Sequence, residues 1–281
     1  MDNKTLAQQA LDISQSGRLP LPGGGVLDFF AAQQAAQRGT VLYRPADLAA
    51  LRERQPESDE RYATQITVTA ESTQQAAYRL LVAEGLDDVA LLNFASAKNA
   101  GGGFLGGAKA QEEDLCRSSG LYLCQLGQPD YYAANRATPS MLYTDHIIYS
   151  PRVPFFRVSG ADLLNEFFYP SVITAPAPNA GVFLQRDPDG AAALAQTLQR
   201  RTAYVLAVAK AQGQKNLVLG AWGCGVFRNA PKEVAAVFAR SLRQPEFSGC
   251  FERIVFAIYD RSPNQAVLKA FAAQFGAETK V

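Results

Sequence analysis

The chain has 281 residues, 48% of them hydrophobic and 19% charged, which is enough apolar material for a full core and excludes global disorder. Lys and Arg number 27 against 26 Asp and Glu, a net charge of +1, so no global field draws nucleic acid or anionic lipid, and an anionic ligand has to be held locally. The single histidine, His146, excludes a multi-histidine zinc site and forces any Ser-His-Asp or Cys-His arrangement through one position.

In chain order, residues 3–16 predict a helix with Leu6, Ala10 and Ile13 on one face. PLPGGG (20–25) reads as a break and residues 27–36 as a second short helix. VLYRPADLAALRER (41–54) reads as a strand, then a helix with Pro45 in its first turn, and QPESDER (55–61) as a polar connector. From Gln65 the pattern alternates: strand QITVTA, a helix from Ser72 to Gly85, and the continuous apolar run VALLNFA (89–95), expected of a strand buried on both faces. A glycine-rich loop and a helix over 110–126 follow, then strand-like MLYTDHIIYSP and PSVITAPAP. A long amphipathic helix (194–212), strand NLVLGAW, a helix at 230–242, strand RIVFAIYD and a closing helix complete the chain. Strands alternating with helices predict a three-layer α/β/α domain with a mixed sheet at 61–281, carrying a helical N-terminal extension at 1–60. The four cysteines form no C-x-x-C pair, and on one helix Cys116 and Cys124 would stand about 12 Å apart, so they read as reduced thiols of a cytoplasmic protein. No apolar leader and no membrane-length apolar run is present.

Chemistry concentrates after strand 89–95. Residues 99–113 (NAGGGFLGGAKAQEE) place five glycines within seven residues, which frees the backbone to touch a ligand directly. Gln111 and the paired carboxylates Glu112 and Glu113 follow at a helix start, and paired carboxylates are the usual equipment of glycoside hydrolysis. Acidic residues in a first helical turn also simply complement the macrodipole, and glycine clusters are commonly turns. Behind a buried strand, the combination points to a ligand site. Gly101, Gly103 and Gly106 also fit G-x-G-x-x-G, but too far from their strand and without the acidic residue a dinucleotide fold requires. A second glycine loop, Gly223-Cys224-Gly225-Val226-Phe227, joins a buried strand to a helix, which is the backbone recipe for a phosphate site or for a plain tight turn. Cys224 reads as a buried thiol, and Phe227 as core or as a platform for a sugar or base. Ala175, Pro176 and Asn179 leave a third strand and form either a pocket wall or a stiff connector; His146, in a strand-like run, reads as structural.

The GGG-x7-QEE pattern (Gly101–Gly103, then Gln111, Glu112, Glu113) resembles the signature of poly(ADP-ribose) glycohydrolases. NFASAKNAGGGFLGGAKAQEE, LYTDHIIYSP, VITAPAPNAG and LGAWGCGVF resemble, in that order, the short bacterial-type members, whose core is a macrodomain. The likeness spans roughly residues 60–275; Ala100 departs from it where a proline often precedes the glycines. The resemblance implies that Asn99 and Gly101–Gly103 hold the terminal ribose, with Gln111 and Glu112 positioning it. It implies that Gly223–Phe227 hold the diphosphate, with Ala175, Pro176 and Asn179 alongside, and that Glu113 is the catalytic acid and base. The substrate is expected to be poly(ADP-ribose) or an ADP-ribosylated protein, the product ADP-ribose, with no cofactor, metal, DNA or membrane partner. The competing readings are a mono-ADP-ribosyl hydrolase and a non-catalytic ADP-ribose reader; the paired glutamates argue against the reader.

Overall fold

The computed structural model describes residues 1–21, 23–54 and 61–276. The connector expected at 55–61 lies, but for Arg61, outside the described residues. Helix α1 (Asn3–Ser16) starts where the Asp2 carboxylate accepts the Thr5 N–H at 2.8 Å and stops at Gly17, whose φ of 63° only glycine adopts without strain. The expected break is a hairpin: β1 (Arg18–Pro20) pairs antiparallel with β2 (Val26–Asp28). Residues 27 and 28, expected at a helix start, therefore belong to a strand. Helix α2 (Phe30–Gly39) begins only after the Asp28 carboxylate accepts the Phe30 N–H. Next come β3 (Val41–Tyr43) and α3 (Pro45–Glu53), the latter with proline at its first position, where a missing N–H costs nothing.

After β4 (Gln65–Thr69), the Ser72 hydroxyl and Gln75 amide cap α4 (Thr73–Tyr78) reciprocally; a π-helical turn over 79–83 extends it to Gly85. Strand β5 (Val89–Phe94) leads through the glycine loop to α5 (Gln111–Ser118), α6 (Leu121–Leu126) and α7 (Pro129–Ala137). The single helix expected over 110–126 is thus two. Its break has tertiary causes: Ser119 is extended and bridges to Phe155, the Gly120 N–H donates to the Pro154 carbonyl at 3.0 Å, and a Cβ on Gly120 would overlap the Gln33 side chain. Strands β6 (Ile147–Ser150) and β7 (Ser171–Ala175), helices α8 (Ala180–Arg186) and α9 (Ala191–Ala211), β8 (Asn216–Leu219), α10 (Pro231–Leu242), β9 (Arg253–Ala257) and α11 (Ala266–Phe275) complete the order.

Seven strands form one mixed sheet, ordered β3-β6-β7-β5-β8-β9-β4. β7, β5, β8, β9 and β4 run parallel, while β6 is antiparallel to both neighbours. The apolar run of β5 follows from its central place: Val89 and Leu91 enter the cluster shared with α1, α4, α5 and α6, while Ala90 and Leu92 enter the one shared with α3, α9 and α10. Each buried Val or Leu in these layers contributes about 1.5–3 kcal/mol relative to exposure. Helix α9, expected to be amphipathic, is buried on every side from Arg201 to Ala209, because α3 and α10 flank it against the sheet. The extension expected over 1–60 supplies an edge strand, β3, as well as helices. Parallel β7, β5, β8 and β9 all end on one side, so the loops at 95–110, 176–179, 220–230 and 258–265 gather there, where open α/β sheets bind ligands.

Candidate active site

The two glutamates at the start of α5 face different partners. The Glu112 side chain is 2% exposed. Its Oε1 accepts from Asn93 Nδ2 at 3.0 Å and Gln125 Nε2 at 2.7 Å, and its Oε2 accepts the Ser96 N–H at 2.6 Å. Burial pushes its carboxyl up to about 7, the neighbouring Glu113 adding to the rise and the three donors opposing it. Glu113 turns towards the glycine loop: Oε1 accepts the Gly103 N–H at 2.8 Å and Oε2 the Ala110 N–H at 3.1 Å. Gln111 holds the helix to the strand, its Oε1 accepting the Phe94 N–H at 2.8 Å and its Nε2 donating to the Leu92 carbonyl and Thr73 Oγ1.

The glycines are there for close approach. Gly101 and Gly102 have φ of 63° and 58°, and a Cβ on Gly102 would overlap Glu113 Oε1. The Gly101 N–H donates to Gln125 Oε1 at 3.0 Å, so Gln125 ties the loop and Glu112 together. Asn99 is exposed at the loop's mouth.

The second glycine loop is closed at its base. Asn229 donates its N–H to the Gly223 carbonyl at 3.0 Å and its Nδ2 to Pro178 and Gly223 carbonyls, while the Phe227 carbonyl accepts the Gly181 N–H. At its tip, among the described residues, the N–H groups of Gly225, Val226 and Phe227 donate to no protein acceptor. Val226 is 81% exposed. Consecutive free N–H groups of this kind make an anion-binding nest. Burial raises the Cys224 thiol to about 12, which disfavours its thiolate. Phe227 is half-buried, its ring 5.8 Å from that of Tyr143. Ala175 and Pro176 are buried beneath; Ala175 accepts from the Trp222 indole at 3.0 Å, and Asn179 caps α8 through the Val182 N–H. All three are buried and none lines the cleft, so the structure shows them as supports behind it.

A cleft of about 800 Å³ runs from Phe94, Ala110 and Gln111 past Ala221 to Cys224 and Gly225, so the α5 start and the second glycine loop share one ligand space. Asn99, Gly102 and Gly103 do not line this cleft but a neighbouring cavity of about 440 Å³, and Glu112 and Glu113 are buried with Glu113 against Gly102. His146 is bonded to Thr144 at 2.8 Å, and burial lowers its pKa. Among the described residues no cluster of three or more His, Cys, Asp and Glu has metal-ligand geometry, and no helix is long and apolar enough to cross a membrane.

Sequence reasoning missed several supporting residues. Asn93, the one polar residue inside the VALLNF strand, carried a signal: a buried amide needs a partner, and Glu112 is that partner. Arg201 carried none. It is fully buried on α9 and donates to the carbonyls of Pro176, Leu142 and Tyr143 and to Asp145, so one guanidinium fixes both the β7 exit and the Tyr143 turn against Phe227.

Comparison with known proteins places the chain among close relatives. A family model for the catalytic domain of microbial-type PARG matches residues 7–158. The chain is 44% identical to poly(ADP-ribose) glycohydrolase from Thermomonospora curvata, with TM-score 0.93 over 97% of this chain and 99% of that one. The structure of that enzyme bound to the inhibitor ADP-HPD matches at 44% identity and TM-score 0.89 over 97% and 99% of the two chains. Poly(ADP-ribose) glycohydrolase from Deinococcus radiodurans in complex with ADP-ribose is 47% identical, with TM-score 0.80 over 91% of this chain and 98% of that one. A search of curated proteins gives no match.

Proposed function

The chain belongs to the microbial-type poly(ADP-ribose) glycohydrolases, glycosidases that hydrolyse the ribose–ribose O-glycosidic bonds of poly(ADP-ribose), and on that premise we propose that Glu113 is its catalytic acid and base. The observation that carries this is the hydrogen bond from the Gly103 N–H to Glu113 Oε1: it sets the carboxyl against a stretch of backbone stripped of side chains. The terminal ribose lies on Asn99 and Gly101–Gly103. Glu112 orients it, and Gln111 acts through α5, whose start it pins to β5. The diphosphate rests on the N–H groups of Gly225–Phe227, with Phe227 beside the sugar and Cys224, Gly223, Ala175, Pro176 and Asn179 shaping the floor. The ADP-ribose held by the D. radiodurans relative supports the same ligand class here.

In the reaction, protonated Glu113 gives its proton to the bridging oxygen. The bond from the anomeric carbon to that oxygen breaks, and its electron pair leaves with the oxygen. The oxocarbenium-like sugar is stabilised by the diphosphate. The Glu113 carboxylate then takes a proton from water as the water oxygen attacks the anomeric carbon, which regenerates the acid. This sequence calls on no metal, and the lone histidine and scattered thiols support that reading. An ADP-ribosylated protein carrying the polymer is the substrate in the cell. DNA and membranes are not partners, and the free thiols favour the cytoplasm. Residues 1–60 are an extension packed on the catalytic domain at 61–281.

The test is Glu113→Gln. Acid–base catalysis supplies about 10²–10⁴-fold, so polymer hydrolysis should fall at least that far while calorimetric ADP-ribose affinity stays near wild type. Turnover at the wild-type rate refutes the assignment.

A further inference from the structure

The cavity of about 440 Å³ begins at Asn99, Gly102 and Gly103, the loop given above to the terminal ribose and carrying the Glu113 contact, and extends from it towards α6 and α7. Its walls are of two kinds. Tyr122 offers a half-exposed ring, and Leu105 and Leu126, 49% and 50% exposed, are two of the large apolar side chains the fold leaves uncovered. The one formally charged residue in its lining is Arg136, an exposed cation that spends only Nη1 on a protein partner, the Lys98 carbonyl at 2.5 Å. An apolar and aromatic platform beside an unpaired guanidinium suits a flat base attached to a diphosphate.

Poly(ADP-ribose) presents such a group at this place. When a terminal unit fills the main cleft, its ribose is joined to the adenosine ribose of the next unit, and the oxygen that Glu113 protonates belongs to that adenosine. The loop backbone at Gly102–Gly103 is all that separates the carboxyl from the cavity, since a Cβ on Gly102 already overlaps Glu113 Oε1. We propose that this cavity is the leaving-unit subsite, in which Tyr122, Leu105 and Leu126 receive the adenine of the adjoining unit and Arg136 its diphosphate. The proposal rests on the assignment of Glu113. Asn99, Gly102 and Gly103 are shared with the terminal ribose, whereas Tyr122, Leu105, Leu126 and Arg136 bind only the part of the substrate that departs. The subsite therefore favours polymer over ADP-ribose attached to a small aglycone.

The test uses Leu126→Asp and Arg136→Glu in the full chain, with three readouts: kcat/KM on long polymer, kcat/KM on an ADP-ribosyl α-O-glycoside of a small phenol, and calorimetric ADP-ribose binding. Each variant should lower kcat/KM on polymer roughly ten-fold, mainly through KM, and leave the phenyl glycoside and ADP-ribose binding unchanged. Unchanged polymer hydrolysis, or an equal loss on both substrates, overturns the proposal. Leu126→Asp leaves the Arg136–Lys98 bond intact, so a shifted loop cannot mimic the result in both variants. Glu113→Gln run alongside separates the two ideas: it should abolish turnover of both substrates, and if it does not, the Glu113 assignment fails whatever the subsite variants do.

Discussion

The Glu112 carboxyl ties stability to pH in a direction opposite to most carboxylates, and Glu112→Gln exposes this. An ordinary glutamate, at 4.5, is ionised in the unfolded chain above that pH, whereas the folded protein holds Glu112 neutral up to about 7 because the side chain is out of water. Between those values the folded state binds more protons than the unfolded one, so stability falls as pH rises and levels off above 7. Integrating over pH 5 to pH 8 gives a loss of about 2–3 kcal/mol. Glutamine carries no such charge. It loses at least one of the bonds from Asn93, Gln125 and Ser96, because its NH₂ must face a donor, a cost of about 1–3 kcal/mol that does not vary with pH. The variant should therefore start below wild type at pH 5 and gain on it by about 2–3 kcal/mol at pH 8. Urea unfolding followed through the single tryptophan, Trp222, which is fully buried, reads both curves. Parallel pH profiles, or a gap that widens with pH, would refute the argument that burial dominates this carboxyl.

Phe227→Ala should lower turnover roughly ten-fold or more with little loss of melting temperature, given the sugar-orienting role proposed for the ring, which is half-buried beside Tyr143. A large fall in melting temperature with normal specific activity in the folded fraction would make Phe227 a core residue instead. Gly102→Ala places a methyl on Glu113 Oε1 at a φ of 58°; activity should drop about 10²-fold with a stability cost of about 1–3 kcal/mol, and a fully active variant would show that the loop does not hold the carboxyl.

What was legible in the chain was what is local in it. The strand at 89–94 shows as an unbroken apolar run because both of its faces are covered, and the glycines and glutamates of 101–113 are close enough in sequence to be read as one motif. The division between α5 and α6 was illegible because its causes are distant in sequence: Gln33, 87 residues from Gly120, fills the space there, and Pro154 and Phe155 hold the Ser119–Gly120 backbone. Helix α9 misled for a related reason: its polar residues Thr197, Arg201 and Thr202 are buried beside the apolar ones, so a pattern that signals a wet face here marks a helix flanked on both sides. Arg201 was invisible as a support of the site because its partners are two loops, 25 and about 58 residues upstream.

The N-terminal helix reaches the catalytic loop at several points. Asn3 Nδ2 donates to the Gly107 carbonyl, a Cβ on Gly107 would press on Lys4, and Arg157 links Gln9 to the Arg117 carbonyl of α5. On α2, Gln33 Nε2 adds a bond to Gly120, between α5 and α6, at 3.1 Å. The glycine loop has almost no side chains with which to hold its own shape, so α1 serves as its external mould. For anyone trimming or grafting this enzyme, the boundary suggested by the start of the alternating strand pattern is the wrong place to cut: a fragment beginning near residue 61 would keep Glu113 yet lose the surface that shapes the backbone around it. Sequence changes at Asn3, Lys4 and Gln9 then become a means of tuning the glycine loop from outside, without touching any residue proposed to meet the sugar.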